Sequence, residues 1–309
     1  MRGLQERVFT GVFMTNGRCF GRLAAAAVIL LATALPGAAD GVSQFEQKIR
    51  PQLPPNSFTD ANAKALGNNG FVLEHVVVTR PADATSGVKA EPVAIKRLTV
   101  EDFDFAGLDK RVPLFLKIRV EGITVASKPA AGVDLNKVAG IDQVIADFAL
   151  DYRVDPDRKT LTLDKLELDV GSLARFELSL VLDGVSPDLA GKPEAAMNDA
   201  TLRTATLTFE DRSLLSKVVP AAAKLQGTDV DAIMKQAKTM LSGLRAGQST
   251  ATLAVFDALG SYLDDYKRPK GPLKVTVNPP NKASAAALSD IKSPDDAVKA
   301  LGLVITYGG

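Results

Sequence analysis

The stretch LTLDKLEL, residues 161–168, decides the fold of this chain. Apolar and polar side chains alternate along it, which is the period-two pattern of a β-strand with one buried face. Asp164 and Lys165 interrupt the alternation, and without a correction the second half would turn its leucines to the opposite face. A β-bulge absorbs one residue and restores the face. The stretch therefore predicts a bulged strand in a bent antiparallel sheet.

The same interrupted pattern occurs earlier, in LTVEDFDF at residues 98–105, where Glu101 and Asp102 stand in place of Asp164 and Lys165. The neighbouring strands also match, FVLEHVV (71–77) with FALDYRV (148–154), and residues 114–123 with 176–185. Three matches in the same order predict an internal duplication of a three-strand unit. The two units are expected over about residues 59–125 and 135–187, with helices before them at Thr59–Leu66 and Leu135–Ala146.

After one more strand, at residues 202–209, the apolar residues recur with the spacing of amphipathic helices. Three helices are predicted, at Asp211–Lys224 with a kink at Pro220, at Asp229–Leu244 with Thr228 as its cap, and at Thr250–Tyr266. A strand, a helix and a strand follow within residues 273–307. Ser293, Pro294 and two aspartates open the helix, and Val304–Tyr307 forms the last strand.

These elements predict an α+β fold in one domain over residues 40–309. Its curved, bulged antiparallel sheet is built from the duplicated three-strand unit. Amphipathic helices need an apolar surface to pack on, so the helical layer of about residues 211–268 is expected to cover the sheet.

Residues 1–39 have the three-part pattern of a secretory signal peptide. Arg18 and Arg22 precede an uncharged apolar run, Leu23–Leu35, and small residues follow it up to Ala39. Thirteen residues are too few to span a bilayer as a helix, so we expect cleavage after Ala39 and export to the periplasm with no transmembrane segment remaining. A retained N-terminal anchor is the alternative, and Met14 is a second candidate for the start of translation.

Composition restricts the classes of function open to the chain. The single cysteine, Cys19, lies in the predicted signal peptide, which excludes disulfides and thiolate chemistry after cleavage. Removal of residues 1–39, with four Arg and one Glu, changes the formal net charge from +1 to −2. No stretch concentrates Lys and Arg, which argues against nucleic acid as a partner.

Candidate catalytic residues are few. His75 is the only histidine, and it aligns with Tyr152 in the second unit, which favours a structural ring at that strand position. No motif for nucleophilic catalysis, phosphate binding or metal ligation accompanies it. We therefore assign no catalytic, cofactor-binding or metal-binding residue. A hydrolase that uses His75 or a carboxylate pair is the alternative, the pairs being Asp102/Asp104, Asp155/Asp157, Asp229/Asp231 and Asp264/Asp265.

Residues 70–79, 95–105 and 161–185 resemble the repetitive strands of AsmA-like exported proteins of proteobacteria, many of which are uncharacterised. The resemblance rests on alternating apolar residues and turn glycines. It implies a curved sheet with an apolar inner face, an association with the outer membrane and a role in lipid transfer. It implies no individual functional residue.

Together these patterns predict a soluble, non-enzymatic periplasmic protein that binds an apolar ligand such as a lipid, or a protein partner of the envelope, in envelope assembly or maintenance. Two alternatives remain open at this point. One is the hydrolase, and the other is a structural adaptor that binds its partner through the exposed edge of the strand Val304–Tyr307. An ordinary closed core between helices and sheet would leave no binding surface.

Overall fold

The computed structural model describes residues 40–80, 91–108, 111–126, 140–186, 199–284 and 291–308. The predicted signal peptide and residues 135–139 of a predicted helix lie outside these ranges. Among the described residues no helix is both long enough and apolar enough to cross a membrane.

Twelve strands form one antiparallel sheet that stays open at both ends. Its hydrogen-bonded order is β1-β3-β4-β5-β6-β7-β8-β9-β10-β12, with β2 on β3 and β11 on β9. The strands are β1 Phe58–Thr59, β2 Asn62–Leu66, β3 Gly70–Arg80, β4 Glu91–Phe103, β5 Phe115–Ala126, β6 Gln143–Asp155, β7 Thr160–Val170, β8 Ala174–Asp183, β9 Thr201–Asp211, β10 Leu273–Val277, β11 Ala283–Ser284 and β12 Leu303–Tyr307.

Both predicted bulges are confirmed. In β4 the register against β5 shifts between Val100 and Asp102, which leaves Glu101 as the extra residue. In β7 it shifts against β8 between Leu163 and Leu166. Each bulge returns the apolar residues that follow it to the side of those that precede it, as the interrupted alternation requires.

A second irregularity crosses β3 and β5. His75 has a left-handed backbone, with φ of 53°, and it separates Leu73 from Val76, which are both fully buried. Gly122 in β5 has φ of 67°, and the register of β5 against β6 shifts at the same place. Because His75 has a left-handed backbone, the alternation of side chains between the two sides of the sheet skips one residue there. Leu73 and Val76 therefore lie on the same side of the sheet although they are three positions apart.

The two helices predicted before the repeat units are wrong. Residues 62–66 form β2, and residues 143–146 belong to β6. The first segment contains three alanines, Ala61, Ala63 and Ala65, but their spacing of two is that of a strand, and β2 pairs along its whole length with β3 in a hairpin. In the second segment β6 is hydrogen-bonded on both edges. Pairing with the neighbouring strands outweighs the small helix preference of alanine.

The described part of the chain begins with a short helical segment, α1 Gly41–Gln44, followed by one π-helical turn at Phe45–Ile49 and a 3₁₀ turn at Arg50–Gln52. This segment packs on the apolar side of β3, where Phe45 lies 4.8 Å from Phe71 between ring centroids. A Cβ on Gly41 would come within 1.9 Å of the carbonyl oxygen of Gly70, so the approach requires glycine. The main buried cluster surrounds this contact and consists of Phe45, Phe71, Leu73, Val76, Val100, Phe103 and Phe105.

Four helices follow β9, at α2 Leu214–Leu225, α3 Val230–Gly243, α4 Thr250–Asp264 and α5 Pro294–Leu301. Their positions agree with the predicted ones, and α2 runs through Pro220 as one element. The cap of α3 is Asp229, which accepts from the N–H of Ala232, and the predicted cap Thr228 is therefore wrong. Ser293 caps α5 as expected.

The helices contact the sheet chiefly through α4, which packs on β12, while α3 packs between α2 and α4. Tyr262 of α4 lies against Phe209 of β9 and Tyr307 of β12. Its hydroxyl donates to Asp211, which also caps α2 by accepting from the N–H of Leu214 at 2.7 Å. The helical layer thus covers one end of the sheet.

Gly122 provides a test of the left-handed backbone conformation within β5. Alanine there would place its Cβ 2.8 Å from the Cβ of Lys96 in a left-handed backbone, so Gly122→Ala is expected to lower the free energy of unfolding by about 1–3 kcal/mol. Gly260→Ala is the control, because its Cβ would meet only the Leu241 side chain at 3.7 Å within α4. It should raise stability by about 0.5–1 kcal/mol. Urea denaturation measures both, and a Gly122→Ala protein as stable as wild type would contradict the conformation.

Asp295 links α5 to α4 and makes stability depend on pH. Hydrogen bonds from Ser249 and Thr252, with the Lys299 ammonium at 2.9 Å, hold the pKa of Asp295 well below its usual range. A carboxyl with a lowered pKa stabilises the fold above its unfolded pKa of about 3.9, and that contribution is lost as pH falls through the folded value.

We therefore expect Asp295→Asn to lower the thermal midpoint at pH 7, with the gap to wild type narrowing progressively below about pH 4. Asp157→Asn, in an exposed turn, is the control and should change stability by less than about 0.5 kcal/mol. A gap for Asp295→Asn that stays constant down to the acid limit would show that the charge of Asp295 contributes nothing.

Candidate binding surface

Register and alternation place the leucines of β6 to β9 on one side of the sheet. Residues directly opposite each other in antiparallel strands share a face. One row runs from Leu150 through Leu166 and Leu178 to Leu207. Together with the parallel rows it forms a surface that we call the leucine face, made of Leu150, Leu161, Leu163, Leu166, Leu168, Leu178, Leu180, Leu182, Leu202 and Leu207.

None of these ten leucines is buried. Nine are half-buried, and Leu207 is 38% exposed. On β3, in contrast, Leu73 is 0% exposed on the same side of the same sheet. Burial of a leucine side chain stabilises a fold by about 1.5–3 kcal/mol, so a face of ten partly exposed leucines leaves a large free energy of burial unused. Contiguous apolar surface of this kind marks an interaction site.

Both ends of this side of the sheet are covered. At one end the segment after α1 buries Phe71 and Val100, which continue the central leucine row through Ile118. At the other end Tyr262 of α4 covers Phe209, which stacks on Phe176 at 4.6 Å. The leucine face lies between these covers. Neighbouring strands are about 4.8 Å apart, so the uncovered stretch from β5 to β9 is about 20 Å wide.

The opposite side of the same strands is polar. On β9 it carries Thr204, Thr206 and Thr208 in alternation with the leucine-face residues. On β7 and β8 it carries an ion-pair ladder, in which Arg175 contacts Glu167 at 2.7 Å and Glu177 at 3.0 Å. Paired charges and hydroxyls are the groups that a solvated sheet face presents. The candidate binding surface therefore lies on the apolar side.

His75 and Tyr152 do not occupy equivalent environments. Tyr152 lies on the apolar side opposite Leu116 and Leu163, where burial raises the pKa of its hydroxyl to about 12. This hydroxyl donates to the carbonyl of Pro113 at 3.2 Å. His75 is exposed at the left-handed position of β3, where the pairing with β4 continues without a register shift. The two rings that the sequence aligns therefore differ in environment.

The predicted carboxylate pairs have separate structural partners. Asp104 is buried and accepts from the N–H groups of Gly107 and Leu114, with Arg111 at 2.8 Å. Asp155 closes the turn before β7, and Asp229 caps α3. Asp264 pairs with Lys238, and Asp265 lies 3.0 Å from Lys270. In the described ranges no group of three or more His, Cys, Asp or Glu side chains is arranged to hold a metal ion.

The sequence comparisons describe a family without an assigned activity. A family model with the description "Uncharacterized protein" matches residues 167–308, from the second half of β7 to just beyond β12. This segment contains part of the leucine face, the helical layer and the final strands, and the chain is similar to the family over that part of its length. None of the curated proteins matches the chain.

The same substitution, leucine to alanine, at two positions distinguishes an exposed surface from an ordinary closed core. Leu73→Ala removes a side chain with no exposure and is expected to cost about 2–5 kcal/mol. Leu207→Ala removes one that is 38% exposed and should cost less than about 1.5 kcal/mol. Chemical denaturation of both variants measures the difference, and equal costs would show that the leucine face is ordinary core.

Proposed function

We propose that this protein is exported to the periplasm as a soluble, non-enzymatic factor that binds an apolar ligand, such as the acyl chain of a lipid, on its leucine face. The proposed context is assembly or maintenance of the cell envelope. Export is supported by the signal-peptide pattern of residues 1–39. The resemblance of the strands to AsmA-like exported proteins supports a role near lipid.

The observation that carries the proposal is the contrast in burial along one continuous apolar face. Val100 is 5% exposed, whereas the leucines that continue its row into β6, β7 and β8 are half-buried and Leu207 is 38% exposed. The chain supplies its own cover at β3 and β4 through Phe45. Between that cover and Tyr262 an apolar occupant would exclude water from the leucines, and such burial contributes about 25 cal/mol for each Å².

We further propose that β3 to β5 and β6 to β8 are two copies of one three-strand unit within the twelve-stranded sheet. The bulges at Glu101 and Asp164 occupy equivalent places in the repeated pattern. In the first copy, Phe71, Leu73, Val100 and Phe103 are buried beneath the segment after α1. Their counterparts in the second copy, Phe148, Leu150, Leu163 and Leu166, are half-buried. The ligand would take the place on the second copy that Phe45 takes on the first.

A flexible apolar chain suits this surface better than a compact molecule does. The leucine rows run across four strands without a charged residue between them. Leucine and phenylalanine side chains offer dispersion contacts and no hydrogen-bonding groups, so they select for apolar surface and not for a defined polar pattern. We therefore expect broad selectivity among acyl chains.

The test begins with the protein released from the periplasm by osmotic shock, with its N-terminus expected at Asp40. Native mass spectrometry and solvent extraction after gentle purification should detect a bound lipid. Leu166→Ser with Leu178→Ser places two hydroxyls at the centre of the leucine face and should reduce the bound lipid by about tenfold or more, since each lost leucine removes about 1.5–3 kcal/mol of burial.

Val181→Ser is the matched control, because Val181 lies on the polar side of β8 and is half-buried like the two leucines. It should leave the bound lipid unchanged. Wild-type protein that carries no apolar molecule, and that takes none from vesicles of phosphatidylethanolamine and phosphatidylglycerol, would overturn the proposal. Equal loss in Val181→Ser would also overturn it, because the effect would then not belong to the leucine face.

A further inference from the structure

The edge strands at the two ends of the sheet differ in their charge and continuity. At one end the outer partner of β3 is broken into β1 and β2, and β2 carries Lys64. Short strands and lysines are the usual means by which proteins prevent edge-to-edge pairing. At the other end β12 is the last strand, and within the described part of the chain no strand pairs with its outer edge.

The edge strand β12 is as short as β2, at five residues, but it lacks the other protective features. Its sequence LVITY contains no charge, no proline and no glycine, and it pairs with β10 without a register shift. Val304 is 53% exposed on the polar side of the sheet. The helices α4 and α5 both pack on β12. A regular edge strand without charges is a surface for pairing with another strand.

The register of β12 against β10 shows which backbone groups of β12 point away from β10. The N–H of Gly308 donates to the carbonyl of Pro272, and this pair continues the β10–β12 register by one residue. In an antiparallel ladder, alternate residues direct their N–H and C=O groups to the same partner strand. Thr306 and Val304 therefore bond to β10, and Leu303, Ile305 and Tyr307 direct theirs to the outer edge.

These positions are self-complementary under a two-fold axis. With Ile305 at the centre of an antiparallel pair, Ile305 faces Ile305 of a second copy, and Leu303 faces Tyr307 in both directions. All three outward residues would exchange backbone hydrogen bonds, and Val304 would lie against Thr306 on the polar side. No charge meets a like charge, and each cross-strand pair combines apolar or β-branched side chains, which favour sheets.

We propose that a second copy of this chain binds at β12, and that two protomers pair antiparallel through Leu303–Tyr307 into one sheet with a two-fold axis at Ile305. The contact is isologous and closes on itself. The apolar row of Leu207, Val275 and Ile305 continues across the axis into the partner protomer. This inference does not depend on a bound lipid.

The test uses the full chain, expressed with its own N-terminal segment, in sedimentation equilibrium and light scattering over a range of concentrations. Wild type is expected at twice the protomer mass. Val304→Lys with Thr306→Lys places lysine opposite lysine at two positions across the axis and should weaken the dimer by about tenfold. Val304→Lys with Thr306→Glu places lysine opposite glutamate at the same positions and should restore dimerisation.

Ile305→Pro is an independent variant. Proline removes an N–H that points to the outer edge and leaves the β10 bonds intact, so it is tolerated on an edge strand and should abolish the dimer. Circular dichroism and thermal midpoints establish whether each variant folds. If Ile305→Pro does not fold, the comparison of the Lys/Lys and Lys/Glu variants tests the dimer. A monomeric wild type at all concentrations would overturn the proposal, as would equal dimerisation of the Lys/Lys and Lys/Glu proteins.

Discussion

The alternation of apolar and polar residues, maintained across bulges, is the constraint on which the rest of this structure depends. Strands of ten to thirteen residues keep their apolar side chains on one side only if each irregularity is absorbed locally. Glu101 and Asp164 each absorb one residue in a bulge, Gly122 lies at the register shift of β5 against β6, and His75 has a left-handed backbone within β3. Without these four positions, the rows that join β3 to β12 would break.

A long sheet with one apolar side must be covered, and this chain covers it unevenly. The segment after α1 closes the face at β3 and β4, and α4 closes it at β9 and β12. Between them the leucines of β6 to β8 stay half-buried. The free energy that burial would contribute is therefore available to an occupant from outside, which is the physical basis of the proposed ligand binding.

The polar groups serve to position these covers. Asp211 caps α2 and accepts from Tyr262, which fixes α4 over Phe209. Asp295 joins the start of α5 to Ser249 and Thr252 of α4, and Asp104 holds the loop after β4 through Gly107 and Leu114. These three carboxylates, each with several bonding partners, therefore have structural roles.

The sequence by itself determined nine of the twelve strands, β3 to β10 and β12, both bulges, the three long helices and the helix that Ser293 opens, because these follow from local periodicity and capping. It predicted helices at residues 59–66 and 135–146 wrongly, since pairing with the neighbouring strands outweighs alanine's helix preference. Only the tertiary structure decided which apolar residues are buried. Leu73 and Leu150 have the same side chain in matching strand patterns, yet one lies beneath a segment of the chain and the other does not. That difference depends on where Phe45 and Tyr262 pack. Packing between residues that are distant in the sequence produces no local sequence pattern from which it could be predicted.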